Sequence, residues 1–216
     1  MERVILACTD PAAADWAEEE ARLRGLPLTA TDGPPTDLDG AKLVVTGGRR
    51  AGERADERWG TAPIPSPLVL VPDDLAPVRR PGRVLLGVDA RDPIGAVIDF
   101  AFDCARVRGA RLHVVHAWAL PPHAAELPFG IPEEDRGAWE DEEVQLLADA
   151  LRPWREKYRE VDVLEDVLLF PPAEALLHHC ASAALVVLGR RPGTAWGHVS
   201  RVLLRESPCP VAVVPA

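Results

Sequence analysis

Hydrophobic residues in this chain fall into short continuous runs, and amphipathic stretches or polar turns separate one run from the next. Five such runs lie between residue 84 and the end of the chain, and each is rich in valine, leucine or alanine. They lie at 84–89, 111–120, 161–169, 184–189 and 210–214. A short continuous apolar run is typical of a strand that is covered on both faces. The pattern therefore predicts five buried strands in the second part of the chain.

Amphipathic stretches between these runs predict helices. Apolar residues recur at three- and four-residue steps over 94–105, and Gly109 follows where such a helix would end. A second amphipathic helix is predicted over 133–158, where Pro153 is expected to kink or split it. The many acidic residues of that segment are interpreted as its solvent-facing surface. Two shorter helices are predicted at 172–182 and 199–204.

Strands that alternate with helices at this spacing predict an α/β fold, a doubly wound parallel sheet with right-handed crossovers and helices on both faces. Such a sheet binds ligands beyond the carboxyl ends of its strands, where the strand order reverses. In this chain those ends carry Asp89, Ala117 and Gly189. A candidate ligand site is therefore expected around these three residues.

Similar segments occur twice along the chain. "RVILACTD" from Arg3 resembles "RVLLGVDA" from Arg83, and "SPLVLVP" from Ser66 resembles "SPCPVAVVP" from Ser207. The segments follow each other in the same order in both halves. This order is expected for an internal repeat.

The first half is much shorter in its middle than the second. Arg3 to Leu43 spans 40 positions and Arg83 to Leu185 spans 102, so 62 residues are missing from the first half. The last strands, "LVLV" and "VAVV", would be apolar edges if left alone, so we expect the two halves to pair through them. The predicted organisation is a reduced repeat at 1–75, a linker at 76–82 and a complete domain at 83–216.

Composition narrows the classes of partner. The formal net charge is −10, from 34 acidic and 24 basic residues, so the protein repels nucleic acid and anionic membranes at long range. We expect neither as a partner. Four cysteines lie far apart and form no C-x-x-C pair, which predicts free, buried thiols. No leader segment or membrane-spanning run is evident, and a cytoplasmic location is expected.

Few residues carry the pattern of a catalytic or metal site. His178 and His179 are adjacent on a predicted helix, where they point about 100° apart and cannot easily bind one metal ion together. His113 and His116 lie on opposite faces of a predicted strand and are interpreted as packed or surface side chains. No serine has the context of a nucleophile elbow. We therefore expect no catalytic residue and no metal ligand.

The second half resembles the universal stress protein family. The resemblance rests on "RVLLGVDARDPIGAVIDFAFDCARVRGARLHVVHAWAL" at its start and on "ALVVLGRR" with "GHVSRVLLRESPCPVAVV" at its end, and it covers about 135 residues. It implies a five-stranded parallel sheet, pairing of subunits through the last strand and, in one branch of the family, ATP binding. That branch carries an aspartate after the first strand, matched by Asp89, and a residue lining the base after the second, matched by Ala117.

The same branch carries the motif G-x2-G-x9-G-[ST] after the fourth strand. Gly189 matches its first glycine and Gly197 its last, but they are only 8 positions apart where the motif has 13. Pro192 stands where the second glycine belongs, and proline has no N–H to offer a phosphate. His198 occupies the hydroxyl position. The candidate nucleotide or anion site comprises Asp89, Ala117, Gly189, Arg190, Gly193, Gly197, His198, Val199 and Ser200.

The first half contains a matching spacing that we interpret as chance. Gly47 and Gly60 are 13 positions apart and Thr61 follows. The segment behind Thr61 is too short for the helix that should follow a phosphate loop. We therefore place no ligand in the first half.

Two functions are left open by the sequence. The resemblance implies a stress-response regulator that acts by binding or interaction, with ATP binding lost or altered by the shortened glycine loop. The alternative is a switch that binds ATP, AMP or another adenine nucleotide with at most slow hydrolysis. No cofactor is firmly predicted beyond such a nucleotide. The expected partners are the other repeat of the same chain, a second copy in a homodimer, and an unidentified protein.

Overall fold

The computed structural model describes residues 2–47, 65–73, 75, 82–121, 124, 132–191 and 196–216. Nine strands lie in these ranges: β1 (Arg3–Leu6), β2 (Leu28–Ala30), β3 (Ala41–Gly47), β4 (Leu68–Val71), β5 (Arg83–Gly87), β6 (Leu112–Trp118), β7 (Val163–Leu169), β8 (Ala183–Arg190) and β9 (Val211–Pro215). Five helices accompany them: α1 (Pro11–Arg24), α2 (Gly95–Arg108), α3 (Glu133–Lys157), α4 (Pro172–Cys180) and α5 (His198–Glu206). The predictions on Gly193 and on the Gly60–Thr61 pair fall outside these ranges.

The nine strands form one sheet in the order β2-β1-β3-β4-β9-β8-β5-β6-β7. Neighbouring strands are parallel except at β4 and β9, which run antiparallel. At this junction Leu68 lies opposite Val213 and Leu70 lies opposite Val211. The predicted pairing of the two last strands is therefore present, and it covers both apolar edges. All five strands predicted for the second half are present and form a parallel set of their own.

Helices cover both faces of the sheet, as the alternating pattern predicts. α1, α2 and α3 pack on the face to which Val84 and Leu86 of β5 point, whereas α4 and α5 pack on the face to which Leu85 points. Because both faces are covered, β4 and β9 each bury four residues in a row. This burial explains why the strands appear in the sequence as continuous apolar runs.

The first strands of the two halves share an irregularity in register. The pairing of β1 with β3 shifts between Arg3 and Val4, and the pairing of β5 with β8 shifts between Arg83 and Val84. The next strand also takes the same place, since β2 lies beside β1 as β6 lies beside β5. These equivalences favour the repeat interpretation. The boundaries at 75 and 82 stay predictions.

The structure agrees with the predicted end of α2 but not with a split of α3 at Pro153. Helix α2 ends as predicted at Gly109, which adopts a left-handed backbone with φ 58° that glycine reaches without steric cost. Helix α3 differs, because it continues through Pro153 as one helix of 25 residues and does not split. Pro153 removes only one backbone hydrogen bond near the helix end. Leu147 and Leu151 are fully buried just before it and hold the helix on the sheet.

A network of buried charged side chains joins α1 in the first half to α2 in the second. Glu20 accepts a hydrogen bond from Arg24 at 2.6 Å and another from Arg108, and Arg24 also pairs with Asp103. The side chains of Glu20 and Arg24 are 1% and 4% exposed. Burial alone would raise the pKa of Asp103, but hydrogen bonds from Arg24 and Arg106 hold that pKa below its usual value. Because water cannot replace these contacts, the network ties the two halves together.

Candidate functional site

An open cleft of about 590 Å³ lies at the carboxyl ends of β5, β6 and β8. The loops after β5 and β6 form part of its wall, and the start of α2, one side of α3, the first half of α4, the first turn of α5 and the end of β8 complete it. The strand order reverses at this point, because β6 and β8 lie on opposite sides of β5. A doubly wound sheet is expected to bind its ligand here.

The structure brings five of the predicted site residues together in this cleft. They are Asp89, Ala117, Gly189, Val199 and Ser200. Asp89 is exposed, and its Oδ1 accepts a hydrogen bond from the backbone N–H of Arg91 at 3.1 Å. Its carboxylate is therefore fixed at the mouth of the cleft with oxygen atoms open to a ligand.

Three other predicted residues do not line the cleft in the described part of the chain. The guanidinium of Arg190 lies over the ring of Trp196, with 5.8 Å between its Cζ and the ring centroid. Gly197 precedes α5 and His198 is the first residue of that helix, and both are exposed outside the cleft wall. Arg191, the neighbour of Arg190, does line the cleft.

A histidine and a glutamate form part of the wall and contact each other. His116 at the end of β6 places Nε2 2.9 Å from Oε2 of Glu143 in α3. The Nε of Arg91 donates to Oε1 of the same carboxylate at 3.0 Å. Both His116 and Glu143 are buried, whereas Arg91 is largely exposed. The cleft is thus lined by an acid–base pair that an exposed arginine covers.

His116 also contacts the loop that carries Asp89. Its Nδ1 lies 3.3 Å from the N–H of Ala90 and 3.2 Å from the carbonyl oxygen of Val88. The tautomer of the ring decides whether Nδ1 accepts from Ala90 or donates to Val88. Either contact joins His116 to the backbone beside Asp89.

Glu143 departs from the interpretation of the acidic helix as a solvent-facing surface. Its side chain is 2% exposed. Burial alone would raise the pKa of Glu143, but hydrogen bonds from His116 and Arg91 hold that pKa below its usual value. The sequence held a clue to this position, since Glu143 lies four residues after Trp139 and four before Leu147. An acid within the apolar stripe of a helix indicates a buried partner.

Trp118 is a cleft residue that the sequence analysis missed. Its side chain is buried and lines the cleft, yet its indole Nε1–H has no hydrogen-bond acceptor in the described part of the chain. A buried donor without an acceptor is unusual in folded proteins. An acceptor on a ligand in the cleft would satisfy it.

The space around two glycines near the cleft differs. A Cβ at Gly189 would lie 3.0 Å from Ile94 Cδ1 and 3.1 Å from Val97 Cγ2, so close packing of α2 on β8 already favours glycine there. A Cβ at Gly197 would meet none of the described residues within 4 Å. Packing therefore accounts for Gly189 without a ligand, whereas the described residues give no packing reason for Gly197.

Positive potential at the cleft comes from two sources. Val199 and Ser200 lie in the first turn of α5, where backbone N–H groups and the helix dipole favour an anion. Arg191 contributes a guanidinium at the rim, where it forms an ion pair with Asp92. That pair partly offsets the charge that Arg191 brings to the cleft.

The cysteines take no part in this site. Cys8, Cys104, Cys180 and Cys209 are free thiols as predicted, and three of them are buried, whereas Cys8 is only half-buried. Burial raises the pKa of Cys104 to about 12, which keeps it protonated and unreactive.

None of the described helices is long and apolar enough to cross a membrane.

The fold and the cleft define a doubly wound α/β protein with a cleft at its topological switch point. The model of the universal stress protein family matches residues 81–215. A universal stress protein of Mycobacterium tuberculosis is 34% identical over 68% of this chain and 48% of its own length. Another from the same organism is 32% identical over 80% of this chain and 61% of its own. The chain therefore belongs to the universal stress protein family, and it spans about half the length of the curated relatives it matches.

Solved structures agree on the fold. A universal stress protein from Archaeoglobus fulgidus covers 99% of this chain and 85% of its own with a TM-score of 0.56 at 13% identity. A functionally unknown protein from Pseudomonas aeruginosa covers 99% of this chain and 82% of its own with a TM-score of 0.55 at 18% identity. At these identities the likeness concerns the fold alone.

Proposed function

We propose that this chain is a stress-response regulator that acts by holding a ligand rather than by turnover, and that the ligand is an adenine nucleoside or its monophosphate. ATP binding is lost or weakened on this proposal. The observation that carries it is the cleft itself, which keeps the features of a nucleoside site and has a shortened phosphate loop. The stress-response role rests on membership in the universal stress protein family.

Several residues of the cleft could contact a nucleoside. Asp89 offers carboxylate oxygens that can accept hydrogen bonds from ribose hydroxyls. The small side chain of Ala117 leaves room for a flat base, and the indole N–H of Trp118, which has no acceptor among the described residues, can donate to a ring nitrogen or a hydroxyl. Such sites combine apolar walls with a few well-placed polar groups.

The phosphate side supports fewer contacts. The two glycines that bracket the loop, Gly189 and Gly197, are 8 positions apart, and Pro192 removes one backbone donor. Arg191 is engaged with Asp92. The first turn of α5 is left as a site for one anionic group, which suits a monophosphate better than a triphosphate.

The titratable groups in the cleft favour binding over chemistry. His116 and Glu143 hydrogen-bond to each other, and Arg91 covers the second oxygen of the carboxylate. A general base needs a free lone pair within reach of the proton it removes. Since these atoms are already engaged, the pair is better suited to shaping the cleft than to catalysis.

Calorimetry with adenosine, AMP and ATP tests the proposal. We expect AMP to bind at least as tightly as ATP, and Asp89→Asn to weaken AMP binding about tenfold, or about 1.4 kcal/mol. Asp162→Asn is the matched control, because Asp162 is an exposed carboxylate paired with Arg111 far from the cleft. ATP binding much tighter than AMP would contradict the weakened phosphate side. No heat with any of the three at millimolar concentration would leave interaction with a partner as the function.

The alternative function is interaction with a partner without a bound ligand. The strand order of the sheet limits which surface a second copy of the chain could use. Family members pair through their last strand, but β9 already pairs with β4 of the same chain. A homodimer of this protein would therefore need another surface. Sedimentation or light scattering at increasing concentration measures whether one forms.

A further inference from the structure

A second cluster of chemically active side chains lies away from the cleft. His113 of β6, Asp166 of β7 and His179 of α4 meet on the face of the sheet that α4 covers. The first half of α4 lines the cleft through Pro172 and Leu176, whereas His179 lies in its last turn. The cluster is therefore separate from the ligand site and closer to the amino ends of the strands.

The three side chains converge on one point. Nε2 of His113 lies 2.6 Å from Oδ2 of Asp166, and Nε2 of His179 lies 3.9 Å from the same oxygen. The three potential ligand atoms all lie within 4.8 Å of one another. The two imidazole rings meet edge to face, with 4.6 Å between centroids. Only the shorter contact is a hydrogen bond, so His179 is directed at Asp166 without bonding to it.

We propose that His113, Asp166 and His179 form a binding site for a divalent transition metal that prefers nitrogen and oxygen ligands, with Zn²⁺ as the best match. Two imidazoles and one carboxylate are a usual ligand set for such ions. Donors around a tetrahedral zinc ion lie roughly 3.3 Å apart, between the two distances seen here. Side-chain movements of about 1 Å would complete the site.

Access and charge suit a metal ion. His113 is fully buried, but Asp166 and His179 are 34% and 20% exposed, so solvent can reach the site and supply a fourth ligand. A metal ion binds imidazole in its neutral form and carboxylate in its ionised form, and both kinds of group are present here.

Arg83 competes with the metal. Its Nη1 lies 3.2 Å from Nδ1 of His113, so Nδ1 accepts the guanidinium proton and Nε2–H donates to Asp166. A metal on Nε2 requires the proton to move to Nδ1, where it would face a cation. Metal-bound histidines instead donate that proton to an oxygen acceptor. Replacing Arg83 by a neutral acceptor should therefore strengthen metal binding.

The ligand set predicts nitrogen and oxygen coordination without sulfur. Cys180 follows His179 directly in the chain, but its thiol is buried among apolar residues with Cys209. Bound Co²⁺ should therefore show visible absorption without the thiolate charge-transfer band. A thiolate band would place the ion at the cysteines and overturn the proposal.

Zn²⁺ titration of the full chain against a chelating dye tests the site. We expect one equivalent to bind, with affinity reduced at least tenfold by His179→Gln and by Asp166→Asn. His178→Gln is the matched control, because His178 is the exposed neighbour of His179 and should not change the affinity. Arg83→Gln should tighten binding about tenfold. Circular dichroism confirms that each variant is folded.

Two results would overturn the proposal. One is a wild-type chain that binds no stoichiometric Zn²⁺ at micromolar concentration. The other is equal loss of affinity in His178→Gln and His179→Gln, or no loss in either. The cluster would then be only a hydrogen-bonded network in which Arg83, His113 and Asp166 stabilise the edge of the sheet.

Discussion

The first strands of the two halves, β1 and β5, are alike, but the helices that follow them begin at different points. In the second half Asp89 follows β5 as an exposed residue, and α2 begins at Gly95. The equivalent of Asp89 in the first half is Thr9, and α1 begins at Pro11, four positions earlier in register than α2. The helix that follows the first strand therefore starts closer to the sheet in the first half.

Because α1 starts early, its N-terminal cap lies against the end of β3. Asp10 caps α1 by accepting the N–H of Ala13 at 3.0 Å, and its side chain lies against Gly47 at the end of β3, where a Cβ would come within 2.5 Å. Cys8 accepts the N–H of Gly47 at 3.1 Å. In the second half the equivalent glycine, Gly189, packs against Ile94 and Val97 and also lines the cleft. The end of β3 is thus covered by the cap of α1, whereas the end of β8 forms part of the cleft wall.

The second half also has elements without a counterpart. Helices α3 and α4 and strand β7 lie between β6 and β8, whereas residues 31–40 alone connect β2 to β3. α3 supplies Glu143 and α4 supplies Leu176 to the cleft wall. The residues missing from the first half therefore correspond to elements that enclose the cleft, while the strands that it keeps extend the sheet and cover β9.

The largest effect is expected where the two halves meet. Glu20→Ala removes the carboxylate that pairs with Arg24 and Arg108 and leaves both cations buried without it. We expect the free energy of unfolding to fall by about 3 to 5 kcal/mol. Urea denaturation measures this change.

The control for that variant is Glu19→Ala, which removes an exposed ion pair with Arg22 on the same helix. It should cost about 0 to 1 kcal/mol. Equal effects of the two variants would show that the halves do not depend on the buried network.

The next largest effect is expected at the cleft wall. Glu143→Ala leaves the Nε2–H of His116 buried without its acceptor, which costs about 1 to 3 kcal/mol of stability. Glu142→Ala, at the exposed neighbouring position, should change stability by less than about 0.5 kcal/mol. Thermal denaturation of both variants decides whether Glu143 is a structural part of the wall.

The pH dependence of stability gives a second test at Glu143. Its pKa in the folded chain lies below the unfolded value of 4.5. The stability it contributes is therefore complete above about pH 4.5 and is lost as the pH falls through the lower folded value. Glu143→Gln should flatten the stability curve in this acidic range. An unchanged slope would mean that Glu143 is not held ionised by His116 and Arg91.

The smallest effect is expected at the closed end of the first half. Asp10→Ala removes the cap of α1 and should cost about 1 kcal/mol. Glu18→Ala, an exposed position on the same helix, should leave stability nearly unchanged. Ligand binding should be the same in both variants, because Asp10 does not line the cleft. Weaker AMP binding in Asp10→Ala would contradict the assignment of the ligand to the second half.

The sequence could predict the strands and helices because the signals for them come from residues that are neighbours along the chain. Continuous apolar runs, a helical stripe at 94–105 and Gly109 each report on neighbours along the chain, and the structure has these elements where they were expected. Asp89, Ala117 and Gly189 could be located because strand ends follow from strands. Their role toward a ligand stays a prediction.

The parts that could not be predicted depend on distant contacts. Glu143 contacts Arg91, which is 52 positions away, and Arg24 contacts Asp103, which is 79 positions away. An acidic residue looks the same in the sequence whether a helix turns it to water or into the sheet. The same holds for Trp118, because a sequence does not show whether a buried indole N–H finds an acceptor, and none lies in the described part of the chain.

Hydrogen exchange of the full chain with and without saturating AMP tests the central claim, that one half holds a ligand and the other does not. The account predicts slower exchange in the loop 88–92, at the end of β6 and in the first turn of α5. Exchange at the ends of β1 and β3 should be unchanged. Protection at the ends of β1 and β3, or no protection anywhere, would contradict the account.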